Sequence, residues 1–244
     1  MPLYNINGKC VLFVHIPKCG GTTIESVLGE EFGDPAFFGR PKGLGEFNLQ
    51  HADAGMLKSM LSEDLVDYSV VVTRNPFDKL ISTYQWTYKN DLCRPNVIPP
   101  FPVWLDYVLY QAKRNPYHGN NFFRPQVDFI FPRSEVFKLE EGLHRVIDRV
   151  QDRLGISVSA TLGHKYKTDC VPNIFIDEYS IQLIRNFYRA DFNQLDYSDE
   201  VEDLLKKRSI KLVEGKCSRV GLWTKFFYRG GYQKAINFAR VRLK

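Results

Sequence analysis

The sequence predicts an α/β protein: a central, mostly parallel sheet flanked by helices in three layers. Three observations carry that expectation. VLFVHI (11–16) and YSVVVT (68–73) are short, almost wholly apolar runs, the pattern of strands buried on both faces. Each run passes through a tight turn straight into a helical pattern. Strand and helix patterns alternate through the first half of the chain, which is the signature of parallel βαβ units.

The elements follow in order. After the first strand, TTIESVLGEEF (22–32) sets Ile24, Val27 and Leu28 on one helical face, with Glu25 in the first turn. A loop containing Gly and Pro (33–45) leads to a helix over 52–61, ADAGMLKSML. The second strand ends at Arg74-Asn75-Pro76. Proline suits the first turn of a helix, whose amides have no partner anyway, and FDKLISTYQWTY continues that helix to about Asn90. Residues 91–100 hold three prolines and read as a loop, FPVWLDYVLYQAK (101–113) as a helix, and RNPYHGNN (114–121) as another loop. DFIF (128–131) and EVFKL (135–139) are expected as short strands. Helices follow at about 140–154 and 177–190, on either side of a polar stretch containing LGHKYKTD. Right-handed connections between parallel strands gather the loops at the carboxyl edge of the sheet, where open α/β sheets bind ligands.

Composition narrows the function class. The chain has 244 residues, 44% hydrophobic and 25% charged, with 33 Lys and Arg against 28 Asp and Glu. These are globular values, and the net charge of +5 suits an anionic ligand without naming one. The basic residues are scattered except near the C-terminus and no nucleic-acid-binding motif is present, so nucleic acid is a poor candidate. Five cysteines, far apart and without a CxxC pair, argue against a disulfide framework and a structural zinc site. No apolar run approaches the ~20 residues that span a bilayer. The expectation is a single cytoplasmic domain over residues 1–210, followed by a basic, aromatic extension over 211–244.

Two strand-to-helix turns carry the chemistry. In PKCGGTT, Gly20 and Gly21 let the backbone turn tightly and approach a ligand. Amides at the start of the next helix favour an anion. Lys18 adds a full charge, and Thr22 and Thr23 add hydroxyl donors; the plainer reading is a tight turn with a threonine cap. The layout is P-loop-like, yet the lysine precedes the glycines, the reverse of GxxxxGK[ST], and no acidic strand end offers a Mg²⁺ ligand. A metal-free anion site fits better. In TRNPFDKLISTY the layout repeats: Arg74 at a strand end offers a guanidinium fork, and Ser82 lies two helical turns on. The plainer reading there pairs Arg74 with Asp78.

Taken together, HIPKCGGTT and TRNPFDKLISTY resemble the 5′-phosphosulfate loop and the 3′-phosphate motif of sulfotransferases that use 3′-phosphoadenosine 5′-phosphosulfate (PAPS). The nearest likeness is to the carbohydrate-type branch, which includes the heparan sulfate 2-O-sulfotransferases and bacterial relatives. It runs roughly from residue 10 to 198 and takes in LQHADAGMLKSM, QVDFIF, EVFKLEEGLHRVIDRVQDRLGI and ADFNQLDYS. Cys19 stands where relatives often carry threonine or another small residue. The resemblance implies that Pro17, Lys18, Gly20, Gly21, Thr22 and Thr23 hold the 5′ end of PAPS and that Arg74 and Ser82 hold the 3′-phosphate. It also sets Lys165 or Tyr166 in a loop over the nucleotide. It implies that Lys18 stabilises the leaving oxygen and that His51, in the stretch similar to the catalytic-histidine region of the 2-O-sulfotransferases, is the base.

Four other histidines compete for that last role. His15 is expected as a core or strand-end residue, His144 on a polar helix face and His164 in the nucleotide loop. His118, in RNPYHGNNFFR, is placed with Arg124 to meet an acceptor. The resemblance points to a glycan hydroxyl, with a small alcohol, a phenol or a lipid-linked sugar also open. The C-terminal stretch either lies on an anionic membrane or glycan or packs on the body. The rival functions are a P-loop nucleotide kinase and a non-catalytic adenosine-bisphosphate binder.

Overall fold

A computed structural model of the chain describes residues 2–36, 48–90, 99–159, 174–202, 205 and 210–213. Four strands form a central sheet in the order β1-β2-β3-β4. Strand β1 (Leu3–Ile6) pairs antiparallel with β2 (Lys9–Val14), while β2, β3 (Tyr68–Thr73) and β4 (Glu135–Lys138) run parallel. The expected fold class therefore holds: a mostly parallel sheet flanked by helices. The antiparallel edge strand comes from the dipeptide Asn7-Gly8, whose positive φ angles of 51° and 76° match the favoured two-residue hairpin turn.

Strand β2 starts and ends two residues earlier than its apolar run suggests, leaving His15 and Ile16 at the mouth of the first turn. Helix α1 (Gly21–Phe32) buries Ile24, Val27 and Leu28, and also Glu25. Helix α2 (Ala54–Met60) is capped by Asp53, whose carboxylate accepts from the Gly55 and Met56 amides. Helix α3 (Pro76–Asn90) leaves β3 directly, and α4 (Phe101–Arg114) packs on it through Tyr84, Phe101 and Trp104. Helices α5 (His144–Leu154), α6 (Glu178–Phe187) and α7 (Arg189–Gln194) complete the set among the described residues.

Among the described residues, two apolar cores result. The sheet, α1, α2 and α5 share one; α3, α4, α6, α7 and a small parallel pair, β5 (Phe175–Asp177) with β6 (Lys211–Val213), share the other. Strand β6 thus ties residues 211–213 to the body.

Several local expectations are corrected. Residues 128–131 are not a strand: Gln126–Phe129 forms a 3-10 turn, because the Asp191 carboxylate captures the consecutive amides of Gln126 and Val127. Phe129 and Phe131 are both buried, which gave the stretch its strand-like alternation. The helix expected from 140 begins at His144, after a 3-10 turn and Gly142 at φ 96°, so His144 opens the helix. The helix expected over 177–190 breaks at Tyr188, a fully buried ring whose hydroxyl donates to the Phe123 carbonyl at 2.7 Å. His51 closes a 3-10 turn (Leu49–His51) just before α2.

Candidate active site

Because β2 and β3 pair in parallel with Val14 opposite Val71, their carboxyl ends lie side by side. The Lys18 turn and the Arg74 turn leave the sheet there as neighbours. In the first, Pro17 and Cys19 are buried, and Lys18 and Gly20 adopt left-handed backbone at φ 68° and 82°. Gly20 caps α1, and its carbonyl accepts from the Thr23 amide at 3.0 Å. The Thr22 side chain is exposed and Thr23 half-buried. Gly21 has no room for a side chain, since a Cβ there would sit 2.7 Å from the His15 ring. The turn thus carries helix-start amides, a cation and two hydroxyl residues, groups whose chemistry suits an anion.

The second turn is clamped onto the first. Arg74 donates from Nη1 to the Lys18 carbonyl at 3.0 Å, and its Nη2 lies a looser 3.9 Å from the Asp78 carboxylate. Burial, reinforced by the Arg74 charge, lowers the Lys18 ammonium from its usual range to about 8. Ser82, two turns along α3, is half-buried. Two cations at adjoining strand ends favour a polyanion between or across them.

His51 sits in a polar nest. Its Nδ1 lies 3.0 Å from Asn120 Nδ2, and Asn120 Oδ1 accepts from the Asn48 amide at 3.0 Å. That backbone donor fixes which end of the amide faces the histidine, so Nδ1 accepts and the neutral ring carries its proton on Nε2. Asn121 donates to the His51 carbonyl at 2.8 Å. Gly119, Asn120 and Asn121 all have positive φ (60°, 57° and 64°), a run that small polar residues tolerate best. Beside it, His15 Nδ1 meets Glu25 at 2.5 Å, and Gln50 donates to the other Glu25 oxygen at 2.6 Å. The His15 and His51 rings are 5.2 Å apart, edge to face.

A run of ring contacts joins the histidine to the first turn. Phe122 packs on His51 at 5.3 Å and on Trp86 at 5.1 Å, and Lys18 Nζ lies 5.7 Å from the Trp86 ring centre. Lys18, Arg74 and His51 are therefore linked through direct contacts, with His118 nearby on the same loop as Phe122 and stacked on Phe123. Arg124 is already engaged: it pairs with Asp53 and Asp128 at 3.0 Å each and covers Tyr117. Lys165, Tyr166 and His164 lie outside the described residues, as do residues 214–244.

Sequence reasoning passed over Gln126, Asp191, Asn120, Trp86 and the His15–Glu25 pair. Only Asn120 left a readable trace, in the turn-forming GNN run; the others act through contacts distant in sequence. Among the described residues, no cluster of three or more His, Cys, Asp or Glu is placed to hold a metal ion, and no helix is long and apolar enough to cross a membrane.

Neither a search of curated proteins nor one of solved structures gives a match. A family model described as the sulfotransferase family matches residues 4–198, a span that contains the Lys18 and Arg74 turns, His51 and Asp191. With that much of its length matched, the chain belongs to the sulfotransferase family.

Proposed function

We propose that the protein transfers the sulfuryl group of PAPS to a hydroxyl of a glycan, as a metal-independent O-sulfotransferase of the carbohydrate-type branch. The hydrogen bond from Arg74 to the Lys18 carbonyl carries the reading, because it makes two anion-binding turns into one continuous cationic surface at neighbouring strand ends. A nucleoside with phosphate groups at both its 3′ and 5′ positions suits such a surface. The catalytic domain is proposed over residues 1–210, with Pro17, Lys18, Gly20, Gly21, Thr22 and Thr23 toward the 5′ end. Arg74 and Ser82 take the 3′-phosphate, and the stretch with Lys165 and Tyr166 covers the nucleotide.

In the reaction, the acceptor oxygen bonds to sulfur while the bond from sulfur to the bridging oxygen breaks. The electron pair leaves with that oxygen on adenosine 3′,5′-bisphosphate. Lys18 stabilises the charge growing there, which favours the transition state over the ground state. His51 takes the hydroxyl proton on Nδ1, the nitrogen that holds the lone pair, so the acceptor hydroxyl displaces the Asn120 amide. His118 borders the acceptor side. Arg124 contributes by holding the loop to Asp53 rather than by offering a spare charge.

The test is calorimetry with adenosine 3′,5′-bisphosphate against ATP with Mg²⁺, followed by sulfate transfer from labelled PAPS to a panel of glycans, alcohols and phenols. Preferential bisphosphate binding and transfer to a glycan are expected. A preference for ATP with Mg²⁺ overturns the reading, and binding without transfer to any acceptor reduces the chain to a nucleotide binder.

A further inference from the structure

The two anion-binding turns are joined by one buried side chain. Gln126 is fully buried. Its Oε1 accepts from the Arg74 amide at 2.8 Å and from the Cys19 thiol at 3.3 Å. Its Nε2 donates to the Arg74 carbonyl at 2.7 Å and to Asp191 Oδ2 at 3.3 Å. A glutamine side chain has two acceptor sites and two donor hydrogens, so every one of them is used. The backbone partners also fix the amide's orientation, since the Arg74 N–H can only donate and its carbonyl only accept.

The support behind Gln126 is equally specific. Asp191, itself buried, accepts the Gln126 amide at 2.9 Å and the Val127 amide at 3.1 Å. Gln126 is thus pinned from its own backbone while its side chain reaches β3's end on one side and the Lys18 turn on the other. Cys19 lies between Lys18 and Gly20, so the thiol contact fixes the middle of the first turn. Arg74 closes the circuit with its bond to the Lys18 carbonyl.

We propose that Gln126 is a positioning residue that sets the spacing between the two turns, so that binding of a ligand bridging them depends on it. The proposal rests on the bisphosphate reading above and adds the residue that makes the two ends act as one site. A bridging ligand gains from both turns only when they are held at matching separation; otherwise it gives up contact at one end. A ligand with phosphate at a single end can follow whichever turn it occupies.

The experiment uses the full chain with Gln126→Met, which keeps the side-chain length without hydrogen bonds, and Gln126→Glu, which keeps the Oε1 contacts and loses both donations. Calorimetry compares adenosine 3′,5′-bisphosphate with adenosine 5′-monophosphate and adenosine 3′-monophosphate. Affinity for the bisphosphate is expected to fall about tenfold or more, and for each monophosphate less than about threefold. Parallel loss for all three, or no loss, overturns the proposal, because a merely structural role would weaken them together. A second readout needs no ligand: alkylation of Cys19, followed by peptide mass spectrometry and run well below the Tm of each variant, should speed up in both. Unchanged alkylation breaks the link between the turns whatever the nucleotide results. If neither variant folds, the wild-type chain decides: adenosine 3′-monophosphate alone should slow Cys19 alkylation, and absence of protection overturns the coupling. Failure of the wild type to bind any of the nucleotides counts against the function proposed above, while ligand-free alkylation still judges Gln126.

Discussion

Arg74 donates a 3.0 Å hydrogen bond to the carbonyl of Lys18, a residue held in left-handed backbone at φ 68°. Left-handed backbone costs a non-glycine residue about 1–2 kcal/mol, so the loop conformation depends on contacts that offset that cost. Arg74 supplies one of them, and so shapes the first turn as well as charging the second. Arg74→Lys is therefore expected to weaken adenosine 5′-monophosphate as well as adenosine 3′,5′-bisphosphate, the latter by about tenfold or more. Calorimetry measures both. Loss confined to ligands that carry a 3′-phosphate would mean that the turns are energetically independent.

Lys18 provides a pH signature. Burial first, and the neighbouring Arg74 charge second, bring its ammonium down to about 8. In the proposed mechanism the charged form steadies the leaving oxygen, so kcat/KM for the donor should fall as pH rises through about 8, the limb reporting the free enzyme. Lys18→Arg should remove that limb by keeping its charge, and Lys18→Ala should cut kcat by roughly 10²-fold or more. The stability sign is the opposite. A lysine depressed in the fold makes the unfolded chain the stronger proton binder above pH 8, so stability gains from this group as pH rises from about 8 toward 10.5. An alkaline limb that persists in Lys18→Arg assigns it to another group.

Much of this arrangement is legible in the sequence, and the part that is not has a common cause. Two β-branched runs, each ending in a basic turn and a helix, are local signals, and they place Lys18 and Arg74 at strand ends. Parallel pairing then makes them neighbours. Gln126 is hidden because its role lies in contacts with residues 19, 74 and 191, none close in sequence. The DFIF stretch misleads for the same reason: its alternation of buried phenylalanines is real, but a carboxylate 62 residues beyond Phe129 sets its backbone. His15 reads as a core histidine, and only the folded chain shows Glu25, ten residues on, turned inward to meet it.

Gly21 gives a steric prediction. A Cβ at this position would lie 2.7 Å from three atoms of the His15 ring, and that ring is held by Glu25. The ring cannot swing away without breaking a buried hydrogen bond. Gly21→Ala is expected to destabilise the fold by about 1–3 kcal/mol, the usual scale for overpacking, and to lower donor affinity because the helix-start amides shift. Thermal unfolding and calorimetry on the same preparation check it. An unchanged Tm would show that the His15–Glu25 pair yields freely.

The last prediction concerns which nitrogen of His51 does the work. Asn120 presents its amide nitrogen to Nδ1 because its carbonyl is occupied by the Asn48 amide. The neutral ring then has its proton on Nε2 and its lone pair on Nδ1. Asn120→Gly removes the amide while tolerating φ 57°, so Nδ1 stays basic and turnover at saturating PAPS should remain within about threefold of wild type. Asn120→Asp does the reverse: a carboxylate beside Nδ1 draws the proton onto that nitrogen and moves the lone pair to Nε2. If Nδ1 is the base, the aspartate variant should lose turnover by about tenfold or more. If Nε2 is the base, the same variant should gain turnover, because the carboxylate would then orient and strengthen the histidine as it does in a catalytic triad. Nitrogen-15 NMR of the ring reports the tautomer independently of activity. A spectrum showing Nδ1–H in the wild-type chain, together with a more active aspartate variant, would transfer the chemistry to Nε2 and remove Asn120 from the path of the acceptor.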